Sequence, residues 1–212
     1  VTTTDPTPLI LVIDDDEAMR RSMAFLFASV GLETRAFETA SAFLEAFPEE
    51  PQHRPGAVVL DVRMPGMSGL ELQRLLVERG CALPIVVVTG HGDVPMAVAA
   101  LKAGAFDFVE KPFKEQHLLD TIEAAIRASR ERLARGARRR SLEDRLARLG
   151  KREREVLDRL LEGKPNKVIA FELDLSIKTI EAYRASVMTK MEAGSLAELT
   201  RMVSEIDRTT DS

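Results

Sequence analysis

Acidic residues directly follow two apolar runs in the first half of the chain. Asp14-Asp15-Asp16 comes after Leu9-Ile-Leu-Val-Ile13, and Asp61 after Ala57-Val-Val-Leu60. Thr89 closes a third run, Ile85-Val-Val-Val88, and Lys111-Pro112 lies just past a fourth, Phe106-Asp-Phe-Val109. Two carboxylates about 4 Å apart repel by roughly 4 kcal/mol at the effective dielectric of a protein surface. A cluster of them therefore needs a cation or must take up protons. One or two carboxylates with waters suit Mg²⁺. Metal and lysine together can hold a phosphoryl group for attack by an aspartate. Asp61 is the candidate nucleophile because it stands alone at the end of its run. Asp14 and Asp15 would hold the metal, and Lys111 would pair with phosphoryl oxygens.

These residues meet only if the apolar runs are parallel strands, because open α/β sheets bind ligands outside the carboxyl ends of their strands. The pattern predicts strands over 9–13, 32–37, 57–60, 85–88 and 106–109, each buried on both faces where the run is continuously apolar. Met19, Met23, Leu26, Phe27 and Val30 recur at helical spacing before Gly31. Further helices are expected over 41–47, 69–79 and 95–102 and from about 115 onward. Pro48-Glu-Glu-Pro-Gln-His-Arg-Pro-Gly56 is a loop by composition. Successive βα units imply a parallel sheet covered by helices on both sides. Blander roles remain open for single residues. Asp16 can be a helix N-cap or a first-turn acid, Thr89 a turn cap, and Phe108 ordinary core.

Beyond the sheet, residues 129–148 form an Arg-rich linker, helical at both ends, with Gly136 set against one unbroken helix. Arg138-Arg139-Arg140 reads as a solvated face. Residues 149–208 show no strand-like run. Helices are expected over 151–161, 167–173 and 177–191, with a last one starting at Gly194-Ser195. Gly163-Lys-Pro-Asn166 and Asp174-Leu175 are turns, and Ser176 caps the third helix. Two short helices joined by a tight turn, the second with a polar outer face, have the form of a DNA-reading helix-turn-helix. On 177–191, Ile180, Val187 and Met191 face the core.

The 212 residues are 45% hydrophobic and 30% charged, as in a folded globular protein. No apolar run reaches the roughly 18 residues needed to span a bilayer, and the N-terminus carries no basic region followed by an apolar one. Cys81 is the sole cysteine, which excludes a disulfide framework, and His53, His91 and His117 are scattered, which argues against zinc. The expectation is a cytoplasmic protein with no membrane partner. Net charge is −4, but residues 1–126 carry 10 basic and 19 acidic groups while residues 145–212 carry 13 and 12. That asymmetry points to two modules with different partners.

Asp14-Asp15, Asp61-Val-Arg-Met-Pro-Gly66, Thr89-Gly90 and Lys111-Pro112, spaced by 28 residues from Asp61 to Thr89 and 22 from Thr89 to Lys111, resemble the receiver domain of two-component response regulators. The resemblance covers about residues 8–128. It implies a five-stranded, parallel, doubly wound (flavodoxin-like) domain, phosphorylated on Asp61 by a sensor histidine kinase. Mg²⁺ would sit on Asp14, Asp15, Asp61 and the backbone carbonyl of Arg63. The resemblance further implies that Thr89 bonds the phosphoryl group, that Phe108 turns inward on activation, and that Lys111–Pro112 is cis. Self-phosphotransfer and autodephosphorylation at Asp61 would be the only enzymatic steps. A rival reading, a haloacid-dehalogenase-type phosphatase built on Asp14-x-Asp16, expects Thr or Val at Ala18 and a cap insertion, and leaves Asp61 without a role.

Arg152-Glu-Arg-Glu-Val-Leu157, Gly163, Asn166-Lys-Val-Ile-Ala170, Lys178-Thr-Ile-Glu181 and Lys190-Met191 resemble the LuxR/NarL-type DNA-binding domain, here an all-α, four-helix helix-turn-helix. Gly-His-Gly-Asp-Val-Pro95 also suits the FixJ subfamily. The chain departs at Gly150, usually Ser or Thr, and at Tyr183, often His. Glu181 is expected on cytosine N4, and Ala182 and Ala185 on thymine methyls. Lys167, Lys178, Arg184 and Lys190 are expected on phosphates, with Asn166 and Thr179 in the same surface. Such a domain gains from dimers on paired half-sites. Val98 and Lys102 are the expected dimer contacts, formed on phosphorylation. Double-stranded promoter DNA and RNA polymerase are the implied partners, with activation the implied outcome. A phosphate-shuttling receiver without DNA output leaves residues 149–202 unexplained.

Overall fold

The structure, a computed structural model, describes residues 6–46, 54–90 and 94–207. Parts of the 48–56 loop and of the Gly90–Pro95 motif therefore lie outside the described residues, as does position 208. The chain divides into two compact units, Val1–Ala134 and Arg135–Ser212.

In the first unit the strands β1 (Leu9–Ile13), β2 (Glu33–Phe37), β3 (Gly56–Asp61), β4 (Ile85–Thr89) and β5 (Asp107–Glu110) alternate with α1 (Glu17–Ser29), α2 (Ala40–Ala46), α3 (Gly69–Glu78), α4 (Val94–Lys102) and the part of α5 (Glu115–Ala147) up to Ala134. The sheet is parallel throughout, in the order β2-β1-β3-β4-β5. Alternating side chains of β1 divide between two cores. Leu9, Leu11 and Ile13 join Phe43, Leu72, Leu76 and Ala100 on one face of the sheet. Ile10 and Val12 join Met23, Phe27, Leu118 and Ile122 on the other. Full burial of a side chain such as Phe27 contributes about 1.5–3 kcal/mol. The strand order reverses between β1 and β3, which is the switch point where such sheets bind ligands. β2, Glu-Thr-Arg-Ala-Phe, is an edge strand with Glu33, Arg35 and Ala36 exposed, and so reads as less apolar than the inner strands.

Two glycines mark close backbone approach. A Cβ on Gly56 would stand 2.0 Å from the Leu9 carbonyl oxygen, and one on Gly69 2.0 Å from the Asp61 carbonyl oxygen.

The 33-residue helix α5 runs unbroken through Gly136. The glycine costs about 1 kcal/mol relative to alanine in a helix interior. Flanking helix formers and the Arg139–Glu143 pair across one turn, at 2.7 Å, offset it.

In the second unit, α6 (Lys151–Leu161), α7 (Asn166–Leu173), α8 (Ile177–Met191) and α9 (Leu196–Asp207) follow. Val156, Leu160, Ile169 and Ile180 form one core cluster, and Leu157, Val187, Met191 and Leu199 another. Ile180, Val187 and Met191 are fully buried, as their spacing predicts. The α7–α8 turn closes with Asp174 in the left-handed region at φ 53°, and Ser176 Oγ accepts the Thr179 N–H at 3.0 Å as N-cap. Gly150 offers α6 no side-chain cap, and Glu153 instead accepts the Gly150 N–H at 2.6 Å.

Candidate functional site

The carboxyl edge of the sheet gathers the residues that their spacing singled out. Asp14 directly follows β1 and is 1% exposed, Asp61 ends β3 and is 6% exposed, and Thr89 ends β4 fully buried. Lys111 follows β5, and its bond to Pro112 is cis. The Lys111 ammonium donates to Asp14 Oδ2 at 2.6 Å and to Asp61 Oδ1 at 2.9 Å. Its own N–H donates to the Thr89 carbonyl at 2.8 Å, which ties the lysine to the end of β4. The remaining oxygens are held locally: Asp14 Oδ1 accepts the Asp16 N–H at 2.9 Å, and Asp61 Oδ2 accepts the Arg63 N–H at 2.7 Å.

Burial pushes the Asp61 carboxyl above its ordinary range, against the pull of Lys111, and repulsion from Asp14 adds to the rise. Burial works against the Lys111 charge, yet its bonds to Asp14 and Asp61 outweigh that and raise it. The pocket thus holds an ammonium firmly charged beside a carboxylate that is costly to keep charged.

Asp15 is exposed beside the pocket, and Asp16 is the N-cap of α1, accepting from Ala18 and Met19 N–H at 2.8 and 3.2 Å. Among the described residues no group of three or more His, Cys, Asp or Glu is close enough together to hold a metal. Asp14 and Asp61 converge on Lys111 rather than on Asp15. Arg63 is exposed, and Phe108 is half-buried against the core beside α3 and α4. Val98 is 42% exposed on α4, with Lys102 exposed at its last turn. Cys81 sits half-buried against the same core, where burial pushes its thiol up.

On the second unit, Lys178, Glu181, Ala182 and Ala185 are exposed along α8, and Lys167 is exposed on α7. Arg184 is half-buried and donates to Asn166 Oδ1 at 3.2 Å, joining α8 to the start of α7. Thr179 is half-buried, its hydroxyl 2.7 Å from that of Ser176. Lys190 is paired with Glu153 at 2.7 Å.

Residues 10–123 match the model of the response regulator receiver domain, and residues 147–203 that of the bacterial regulatory proteins of the luxR family. The chain belongs to the response regulators of the FixJ and LuxR type. This response regulator is 49% identical over 191 residues to the transcriptional regulatory protein FixJ of Azorhizobium caulinodans, covering 90% of the chain and 89% of the relative. Its fold is similar to the response regulator StyR, with TM-score 0.84 and 41% identity over 94% of this chain and 99% of that one. It is also similar to full-length FixJ from B. japonicum, with TM-score 0.58 and 46% identity over 96% and 98% of the two chains. A two-component DNA-binding regulator, rather than a phosphatase, is the family these matches give.

Three residues of this response regulator escaped the reading of its sequence. Arg20 donates to the Asp14 carbonyl at 2.7 Å and so braces the loop that carries both β1 acids. Its place one turn into α1 was the available signal. Gly69 lets the start of α3 approach the Asp61 carbonyl, a contact that no pattern of types announces. Gln73 is fully buried and donates to the Ala100 carbonyl at 2.7 Å, linking α3 to α4. A lone glutamine on an apolar helix face was its signal.

Among the described residues no helix is long and apolar enough to cross a membrane.

Proposed function

We propose that this regulator is switched by phosphorylation of Asp61 and that the switch controls promoter binding through α8. The observation that carries the proposal is the Lys111 ammonium shared between Asp14 and Asp61, in a chain that also bears a reading helix. One ammonium against two carboxylates leaves the pocket negative even before Asp15 is counted. That donor set fits a hard divalent cation with few protein ligands. Asp15 is not drawn in with Asp14 and Asp61 here, but turned inward it would join them and the Arg63 carbonyl in holding Mg²⁺, which would neutralise phosphoryl oxygens when bound.

An Asp61 oxygen attacks the phosphorus of a phosphohistidine on the sensor kinase. A P–O bond forms, the P–N bond breaks, and the electron pair leaves on the imidazole nitrogen. Lys111, released from Asp61 Oδ1, pairs with a phosphoryl oxygen, and the Thr89 hydroxyl turns to donate to another. The space Thr89 gives up lets Phe108 move inward, which reshapes the α4 face bearing Val98 and Lys102 and favours a homodimer. Water later attacks the same phosphorus, releasing phosphate and restoring Asp61.

In the dimer, two copies of α8 enter successive major-groove segments. Glu181 accepts from cytosine N4 and Ala182 and Ala185 meet thymine methyls. Lys167, Lys178 and Arg184, with Asn166 and Thr179, hold phosphates. Promoter-bound dimers would activate transcription through RNA polymerase, in the cytoplasm where that DNA lies.

The test incubates full-length protein with Mg²⁺ and acetyl phosphate, comparing wild type with Asp61→Asn by sedimentation and by salt-dependent DNA binding. Wild type dimerises and gains DNA affinity, while Asp61→Asn takes up no phosphoryl group and does neither. Identical behaviour of the two proteins refutes the switch.

A further inference from the structure

One carboxylate lies where a DNA-binding surface has no evident use for it. Glu153, near the start of α6, is only 8% exposed. Its Oε2 accepts from the Gly150 N–H at 2.6 Å and from the Lys190 ammonium at 2.7 Å, and its Oε1 accepts from the Ser186 hydroxyl at 2.6 Å. Ser186 and Lys190 are one turn apart on α8 and so share a face. Of the three cations on α8, Lys178 is exposed and meets no acid among the described residues, and Arg184 bonds the neutral Asn166. Among the described residues only Lys190 of the three meets a carboxylate.

That pairing has an electrostatic consequence. Sequence-independent DNA binding comes from cations that neutralise phosphates, each adding about 0.9 to the salt slope. Lys190 is five residues beyond Ala185, which at 1.5 Å per residue is roughly 7.5 Å along the helix axis. That is within the Debye length of about 8–10 Å at ordinary salt. An unpaired ammonium there would add to binding on any sequence. Specificity is the ratio of specific to non-specific affinity, so a cation that helps everywhere erodes it.

We infer that Glu153 is a positioning residue that sets specificity: it fastens α8 to α6 and neutralises Lys190, so that the reading helix meets DNA with one fewer sequence-independent charge. This inference rests on DNA reading by α8. It assigns Lys190 to Glu153 and not to a phosphate.

The experiment titrates full-length protein against a mixed-sequence duplex at several salt concentrations, using Glu153→Gln, Lys190→Met and the double variant. Lys190→Met alone leaves the slope of log K against log salt unchanged. Glu153→Gln steepens it by about 0.9 per protomer, making non-specific binding roughly eightfold tighter at 0.1 M salt. The double variant returns to the wild-type slope, which a loss of packing alone would not produce. Flattening by about 0.9 in Lys190→Met makes Lys190 a phosphate contact and overturns the proposal. So does an unchanged slope in folded Glu153→Gln. Should Glu153→Gln fail to fold, the slope of Lys190→Met decides by itself. Lys178→Ala in the same titration flattens the slope if α8 lies on DNA. If it does not, the reading of α8 fails, and this inference fails with it.

Discussion

At the carboxyl edge of the sheet, Asp14 and Asp61 are 1% and 6% exposed and share one ammonium, whereas Lys178, Glu181, Ala182 and Ala185 all stand in solvent along α8. Both sets lie on elements with a firm apolar underside. On the proposed function they differ because their ligands differ. A phosphoryl group is small, and its charge is controlled best by groups already fixed in a water-poor pocket. A duplex is large and brings its own hydration, so the groups that meet it stay exposed and separately solvated until contact. Burial with close partners therefore goes with the proposed switch, and exposure of Lys178, Glu181, Ala182 and Ala185 with the proposed reader. Glu153 breaks this division: it is a buried, fully bonded carboxylate on the reader's side, and it bonds a residue of the reading helix.

The sharpest way to break the contrast is to empty the pocket of its cation. Lys111→Ala leaves Asp14 and Asp61 buried without their shared partner, and removing one member of a buried pair costs about 3–5 kcal/mol. Urea unfolding of the receiver should show that loss, and if the folded pocket holds Mg²⁺ as proposed, the ion should restore part of it. Equal stability without Lys111 would mean that the pocket is not preorganised by this lysine.

Acid probes the exception. Bonds from Lys190, Ser186 and Gly150 hold Glu153 down from the usual 4.5 to about 2. A carboxyl depressed on folding contributes stability above its unfolded value and loses it as pH falls through the folded one. The stability advantage of wild type over Glu153→Gln should therefore be complete above pH 4.5 and shrink between 4.5 and about 2. Circular dichroism of the two proteins across that window reads the difference, and a constant gap would sink the account.

On the exposed face the effects are smaller and appear in binding rather than folding. Glu181→Ala should reduce discrimination at a single base position by about 1–3 kcal/mol and leave stability nearly untouched. A selection from random duplexes would show relaxed preference at that position, and unchanged preference would remove Glu181 from the reading set. Gly150→Ser tests the cap alone. The new Cβ meets only Glu153 Oε2 at 3.4 Å, an ordinary contact. Thermal unfolding should show a gain of a few tenths of a kcal/mol from a serine cap.

The apolar runs made the sheet legible. Leu9–Ile13 and Ile85–Thr89 are buried at every position, and a strand covered on both faces leaves no other pattern to read. Ile180, Val187 and Met191 were legible for the parallel reason on a helix. Gly136 misled, because a local helix penalty of about 1 kcal/mol is small against the rest of a helix of 33 residues. Lys190 was expected on a phosphate, and its bond to Glu153 gave no local signal because that partner lies 37 residues away in sequence.

The order of residue types along the chain determined the strands, the helices, the four strand-end groups and the polar face of α8, since each follows from periodicity or from position at the end of a run. Tertiary structure alone decided which of those groups bond one another. It turned Asp14 rather than Asp15 toward Lys111, brought Gly69 against the Asp61 carbonyl and set Glu153 beneath Lys190. The reason is physical. Periodicity records which way a side chain faces relative to its own element, whereas a hydrogen bond of 2.6–2.9 Å depends on how two elements approach, and that is fixed by the packing between them.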